Sequence, residues 1–131
     1  MPRILLIDDE ELVIRSLEKL LKKEGFEVEP ARNGLEAIKK AGEVDFDLVV
    51  TDIRMPELNG IDTLEQIREV LQRKGSKAVP EICITGYADE ELQERAERLG
   101  VADYLYKPFD IRDFLACINK HLKSTKIGSS F

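Results

Sequence analysis

The sequence predicts an α/β fold, a five-stranded parallel sheet doubly wound with five helices. Three observations predict it. Short apolar runs alternate with longer segments of helical spacing, the runs lack period-2 alternation, and glycines or capping residues mark the junctions. Continuous apolar strands suit a parallel sheet covered on both faces. Right-handed crossovers between such strands put helices on both sides.

The elements follow in order. Residues 4–7 make the first strand, and the stripe of Val13, Leu17, Leu20 and Leu21 predicts the first helix. A weaker run at 26–29 gives the second strand and residues 35–41 a short second helix. Residues 48–51 make the third strand, followed by a helix carrying Ile61, Leu64, Ile67 and Leu71. The fourth unit pairs residues 82–85 with Leu92, Ala96 and Leu99. The fifth pairs residues 102–106 with Ile111, Phe114, Leu115, Ile118 and Leu122. Gly25, Gly42, Gly75 and Gly100 each follow a helical stretch, as left-handed C′ residues do. Asn33, Asn59, Asp89 and Asp110 stand where N-caps of helices two to five belong. The expected domain covers residues 3–123, with 124–131 a polar C-terminal tail or the start of a linker.

Composition narrows the function. A chain of 131 residues, 43% hydrophobic, forms one domain with an ordinary core. Twenty-six acidic against 20 basic residues leave a net charge of −6, which argues against nucleic-acid binding by this domain. Cys83 and Cys117 form no disulfide framework or CxxC pair and read as small core residues. The single histidine, His121, excludes a multi-histidine metal site and reads as a polar residue near a helix C-terminus. The apolar run at the start is four residues long, far short of a signal-peptide core or a membrane span. A cytoplasmic location without membrane association is expected.

Open parallel sheets bind ligands at the carboxyl ends of their strands. The first strand is followed there by Asp8-Asp9-Glu10-Glu11 and the third by Asp52, Arg54 and Met55-Pro56. The fourth ends in Thr85-Gly86 and the fifth in Lys107-Pro108. Glu10 and Glu11 suit the positive end of a helix. Oxygen-only ligands point to a hard ion, Mg²⁺. Asp52, single and ending the middle strand, is the candidate nucleophile, giving an acyl phosphate. Lys107 and Thr85 would hold phosphoryl oxygens by charge and hydrogen bond. Arg54 and Tyr87, each two residues beyond Asp52 or Thr85, are candidates for screening the phosphoryl group from water and so setting its lifetime.

Five features stand in order: the Asp8-Asp9 pair, Asp52, Met55-Pro56 with Gly60, Thr85, and Lys107-Pro108-Phe109. On these, residues 3–123 resemble the receiver domains of two-component response regulators. The resemblance implies a flavodoxin-like strand order of 2-1-3-4-5 and phosphorylation of Asp52 by a histidine kinase's phosphohistidine. It implies Mg²⁺ held directly by Asp9 and Asp52, by the backbone carbonyl of Arg54, and by Asp8 through water. Thr85 and Tyr104 would be switch residues acting on the surface of the fourth helix, fifth strand and fifth helix, and Lys107-Pro108 would be cis. The implied partners are a sensor histidine kinase or phosphotransfer protein and a downstream effector or fused output domain, with a phosphorylation-dependent homodimer also in view. Such a domain catalyses its own phosphorylation and dephosphorylation and is not a turnover enzyme.

Three other readings compete. A haloacid-dehalogenase-like phosphatase needs a second acid two positions beyond the nucleophile, where Arg54 stands. A flavodoxin-like cofactor binder needs a Ser/Thr/Gly-rich phosphate loop where this chain carries four acids. A receiver-like module acting as a constitutive protein-interaction surface would differ by taking up no phosphate.

Overall fold

The computed structural model describes residues 1–86 and 89–130, with side chains through Leu122. Five β-α units follow one another: β1 (Arg3–Ile7), α1 (Glu11–Lys23), β2 (Glu27–Ala31), α2 (Gly34–Glu43), β3 (Leu48–Asp52), α3 (Gly60–Lys74), β4 (Glu81–Thr85), α4 (Glu90–Leu99), β5 (Asp103–Tyr106) and α5 (Ile111–Ser130). All strand pairs are parallel, in the order β2-β1-β3-β4-β5. This is the expected fold class and strand order. The order reverses between β1 and β3, where a doubly wound sheet opens its binding crevice.

Alternate strand residues feed two cores. Ile4, Leu6, Leu48, Val50, Ile82 and Ile84 pack with Leu17, Leu21, Phe114 and Ile118 of α1 and α5. Leu5, Ile7, Val49 and Cys83 pack on the opposite face with Ala37, Leu64, Ile67 and Ala96 of α2, α3 and α4. Because successive strand residues point to opposite faces, burial on both sides removes any polar alternation. Pro30 lies in β2 at the sheet edge, where a missing N–H is tolerated. Glu81 opens β4 only 3% exposed, and its carboxylate accepts from Arg68 Nε of α3 at 2.8 Å as well as from Nη2.

The helix boundaries follow capping chemistry. Asn33, Asn59 and Asp89 accept from the backbone N–H groups of Glu36, Asp62 and Leu92. Asp110 accepts from Arg112 N at 2.7 Å. Gly25, Gly75 and Gly100 have φ of 93°, 73° and 78°, the left-handed geometry expected of them. Gly42 does not: it lies within α2, which closes at Val44 in extended backbone. Helix α5 runs to Ser130, so residues 124–130, read from the sequence as a polar tail, continue that helix. His121 is accordingly inside α5 rather than near its C-terminus, with Nε2 3.0 Å from Asp103 Oδ2.

Candidate functional site

The carboxyl ends of β1, β3, β4 and β5 carry the site. Beyond β1, Asp8 N donates to Ala31 O at 3.1 Å, and the Asp8 carboxylate accepts from Glu10 N at 2.9 Å. Asp52 is the last residue of β3, and Ile53 N extends the ladder by donating to Ile84 O at 2.9 Å. The chain then turns through Glu57, at φ 68°, and Gly60 N returns to Ile53 O at 2.8 Å. A Cβ at residue 60 would lie 2.2 Å from Asp52 O, so only glycine lets α3 start this close to the nucleophile candidate. Across the sheet, Lys107 N donates to Thr85 O at 2.7 Å, and the Lys107-Pro108 bond is cis, as expected.

These segments meet. Asp8, Asp9 and Asp52 each offer a carboxylate oxygen within 4.8 Å of the others. Lys107 Nζ lies 3.6 Å from both Asp8 Oδ2 and Asp52 Oδ2. Asp8 and Asp52 are buried while Asp9 is exposed. Above them opens a cavity of about 440 Å³ lined by Asp9, Glu10, Asp52, Arg54, Gly86 and Lys107. Glu10, assigned from the sequence only to the helix start, therefore also borders the site; its place beside the acidic pair was the available signal.

Charge is out of balance here. Burial, then the neighbouring charges of Asp8 and Asp9, push the Asp52 carboxyl up to about 6, against Lys107 and the Ile53 N–H. Burial also raises Asp8 above its ordinary value, against the Glu10 N–H and Lys107. Burial pulls the Lys107 ammonium down, but Asp52 and Asp8 outweigh it and hold its pKa up. Three carboxylates against one ammonium suit a divalent cation, and an all-oxygen donor set suits a hard one.

Thr85 is fully buried at the end of β4. The Tyr104 hydroxyl on β5 is enclosed without a hydrogen-bond partner among the described residues. Burial and then Tyr106, whose ring centroid is 5.1 Å away, push it up to about 12. Thr85 is near enough to act on the Tyr104 hydroxyl in the other direction. Arg54 borders the cavity, whereas Tyr87 lies outside the described residues.

A doubly wound sheet with an acidic, lysine-closed pocket at its carboxyl edge defines the receiver class of signalling domain. The response regulator receiver domain family matches residues 4–119, and the chain belongs to that family. It is 40% identical over 130 residues to the transcriptional regulatory protein CpxR homolog of Haemophilus influenzae, covering 99% of this chain and 54% of that protein. It is 37% identical over 121 residues to the regulatory protein AtoC of Escherichia coli, covering 92% of this chain and 25% of that one. The chain thus spans about half or less of the curated relatives it matches. A crystal structure of a CheY-like response regulator receiver domain protein from Methanospirillum hungatei superposes with a TM-score of 0.88 at 31% identity, covering 98% of each chain. The family's domains are two-component signalling modules, not turnover enzymes. Among the described residues, no helix is long and apolar enough to cross a membrane.

Proposed function

We propose that this domain is a phosphoacceptor whose Asp52 takes a phosphoryl group from the phosphohistidine of a sensor histidine kinase or phosphotransfer protein. One observation carries the reading: the buried Asp52 carboxylate has two further carboxylates within 4.8 Å and the Lys107 ammonium at 3.6 Å. An Asp52 oxygen attacks phosphorus, the phosphorus–nitrogen bond breaks, and the imidazole leaves with the electron pair. Lys107 neutralises charge on the phosphoryl oxygens, and Asp8, fixed by Glu10 N and Lys107, keeps the carboxylates oriented. Mg²⁺ suits this donor set and would be held by Asp9, Asp52 and the Arg54 carbonyl, with Asp8 acting through water. Its chemistry there is to offset the charge of carboxylates and phosphoryl oxygens. Arg54, at the border of the cavity, slows attack by water and so sets the lifetime of the phosphoryl group, a role the sequence spacing assigns to Tyr87 as well.

Output follows from Thr85 and Tyr104. Phosphoryl oxygens draw the Thr85 hydroxyl toward them, and Tyr104 settles into the space released, altering the surface of α4, β5 and α5. Moving such a switch from 1:99 to 99:1 takes about 5.5 kcal/mol. A few charge-assisted contacts at roughly 1.5–3 kcal/mol each supply that. That surface engages a downstream effector or a fused output domain, or pairs two phosphorylated copies. The net charge of −6 keeps nucleic-acid contact away from this domain, and two free buried thiols suit the cytoplasm.

Incubation with acetyl phosphate and Mg²⁺ tests the reading by intact mass. Wild type gains one phosphoryl group and Asp52→Asn gains none. No uptake from any donor would leave a constitutive protein-interaction surface as the better account.

A further inference from the structure

A second cluster of metal-ligating side chains lies at the opposite end of β5. Asp103 opens that strand, and Cys117 and His121, four residues apart on α5, reach it from one helix face. A single Asp103 oxygen, Oδ2, lies 3.3 Å from Cys117 Sγ and 3.0 Å from His121 Nε2. Ligand atoms of all three residues fall within 4.8 Å of one another. Cys117 is buried, and Asp103 and His121 are half-buried. The other Asp103 oxygen accepts from Tyr104 N at 2.9 Å, an outer contact of the kind that orients a ligating carboxylate.

The geometry points to a zinc-class metal site formed by Asp103, Cys117 and His121, with water as the fourth ligand. Tetrahedral zinc with bonds of about 2.0–2.3 Å sets neighbouring ligand atoms about 3.3–3.6 Å apart. The two measured separations need only a few tenths of an ångström to reach that spacing. Two ligands come from adjacent turns of one helix and the third from the strand beneath, so the side chains are already gathered. Without metal, both neighbours hydrogen-bond to Asp103 and the thiol keeps its proton. Burial, then the Asp103 hydrogen bond and charge, push that thiol up to about 12. On binding, the S–H bond breaks, a metal–sulfur bond forms and the thiol proton leaves to solvent, while the His121 ring moves its proton from Nε2 to Nδ1 so that the Nε2 lone pair can ligate. Thiolate and carboxylate then balance a divalent charge. Lys120, the cation acting on the thiol, is exposed.

Donor chemistry separates the two sites. Sulfur and imidazole nitrogen favour zinc, cobalt or copper, whereas the all-oxygen pocket at Asp52 favours Mg²⁺. Cobalt(II), titrated into the full chain under reducing conditions, is the probe. One cobalt per chain should bind, with the near-ultraviolet band of a cobalt thiolate and the intense visible bands of tetrahedral cobalt. Zinc should abolish both bands, and excess Mg²⁺ should leave them. His121→Gln and Cys117→Ser should lose them, while Cys83→Ala and Asp52→Asn keep them. Folded wild type without a thiolate band overturns the proposal, and this outcome depends on no variant. Bands surviving in His121→Gln, displaced by Mg²⁺, or lost in Asp52→Asn also overturn it.

Discussion

Replacing Asp52 with Asn should stabilise the metal-free protein at neutral pH. The Asp52 carboxyl is raised from 3.8 to about 6, chiefly by burial and the Asp8 charge. A carboxyl whose pKa rises on folding favours the native state while protonated, below about 3.8. That contribution is lost as pH climbs through about 6. A shift of about two units corresponds to at most about 3 kcal/mol of native-state penalty at pH 7.5. Asparagine keeps the shape and removes the charge, while Lys107 retains Asp8 as a partner at 3.6 Å. Against a total stability of roughly 5–15 kcal/mol this is a large fraction, worth on the order of 10 °C in Tm. Urea unfolding of wild type and Asp52→Asn in chelator, from pH 4 to pH 8, measures it. The gap should be near zero at pH 4, open through pH 6, and narrow when Mg²⁺ is added. A gap independent of pH, or a less stable Asp52→Asn at pH 7.5, would refute the electrostatic reasoning.

Gly60→Ala forces a Cβ to 2.2 Å from Asp52 O, so it should cost about 3 kcal/mol or more in urea unfolding and abolish phosphoryl uptake. A wild-type midpoint would show that the loop relaxes freely. Arg68→Ala leaves the Glu81 carboxylate buried without its guanidinium, a loss of about 3 kcal/mol. The paired change Arg68→Met with Glu81→Met should recover most of it, and equal losses in both would contradict the pairing. Lys107→Ala should lower the rate of phosphorylation by acetyl phosphate roughly 100-fold, as expected for a lost charge donor. An unchanged rate would remove Lys107 from the chemistry.

Much of this molecule was legible in its residues, for identifiable reasons. Strands β1, β3 and β4 are buried on both faces, so their apolar runs are continuous and stand out. Asp52, Asp8 and Lys107 were readable because each ends or directly follows a strand whose carboxyl end faces one crevice. Glycine position proved less reliable. Gly25, Gly75 and Gly100 close helices in the left-handed region, whereas Gly42 sits inside α2, packed 3.8 Å (as a Cβ) from Val70. Glycine in a helix costs only about 1 kcal/mol, which tertiary packing readily outweighs. The Asp103–Cys117–His121 cluster was invisible for another reason. Its members lie on two elements, 14 and 18 residues apart for the pairs with Asp103, and only the docking of α5 on β5 unites them. The Arg68–Glu81 pair is hidden in the same way, since a glutamate opening a strand usually reads as solvated.

Borohydride reduction of the phosphorylated protein tests the central assignment most directly, because it converts an acyl phosphate into homoserine at the residue that carried it. After treatment with acetyl phosphate and Mg²⁺, peptide mass mapping should find homoserine at position 52 and nowhere else. Homoserine at Asp8 or Asp9, or none in a protein that has gained phosphate, would contradict the assignment of Asp52 as the nucleophile.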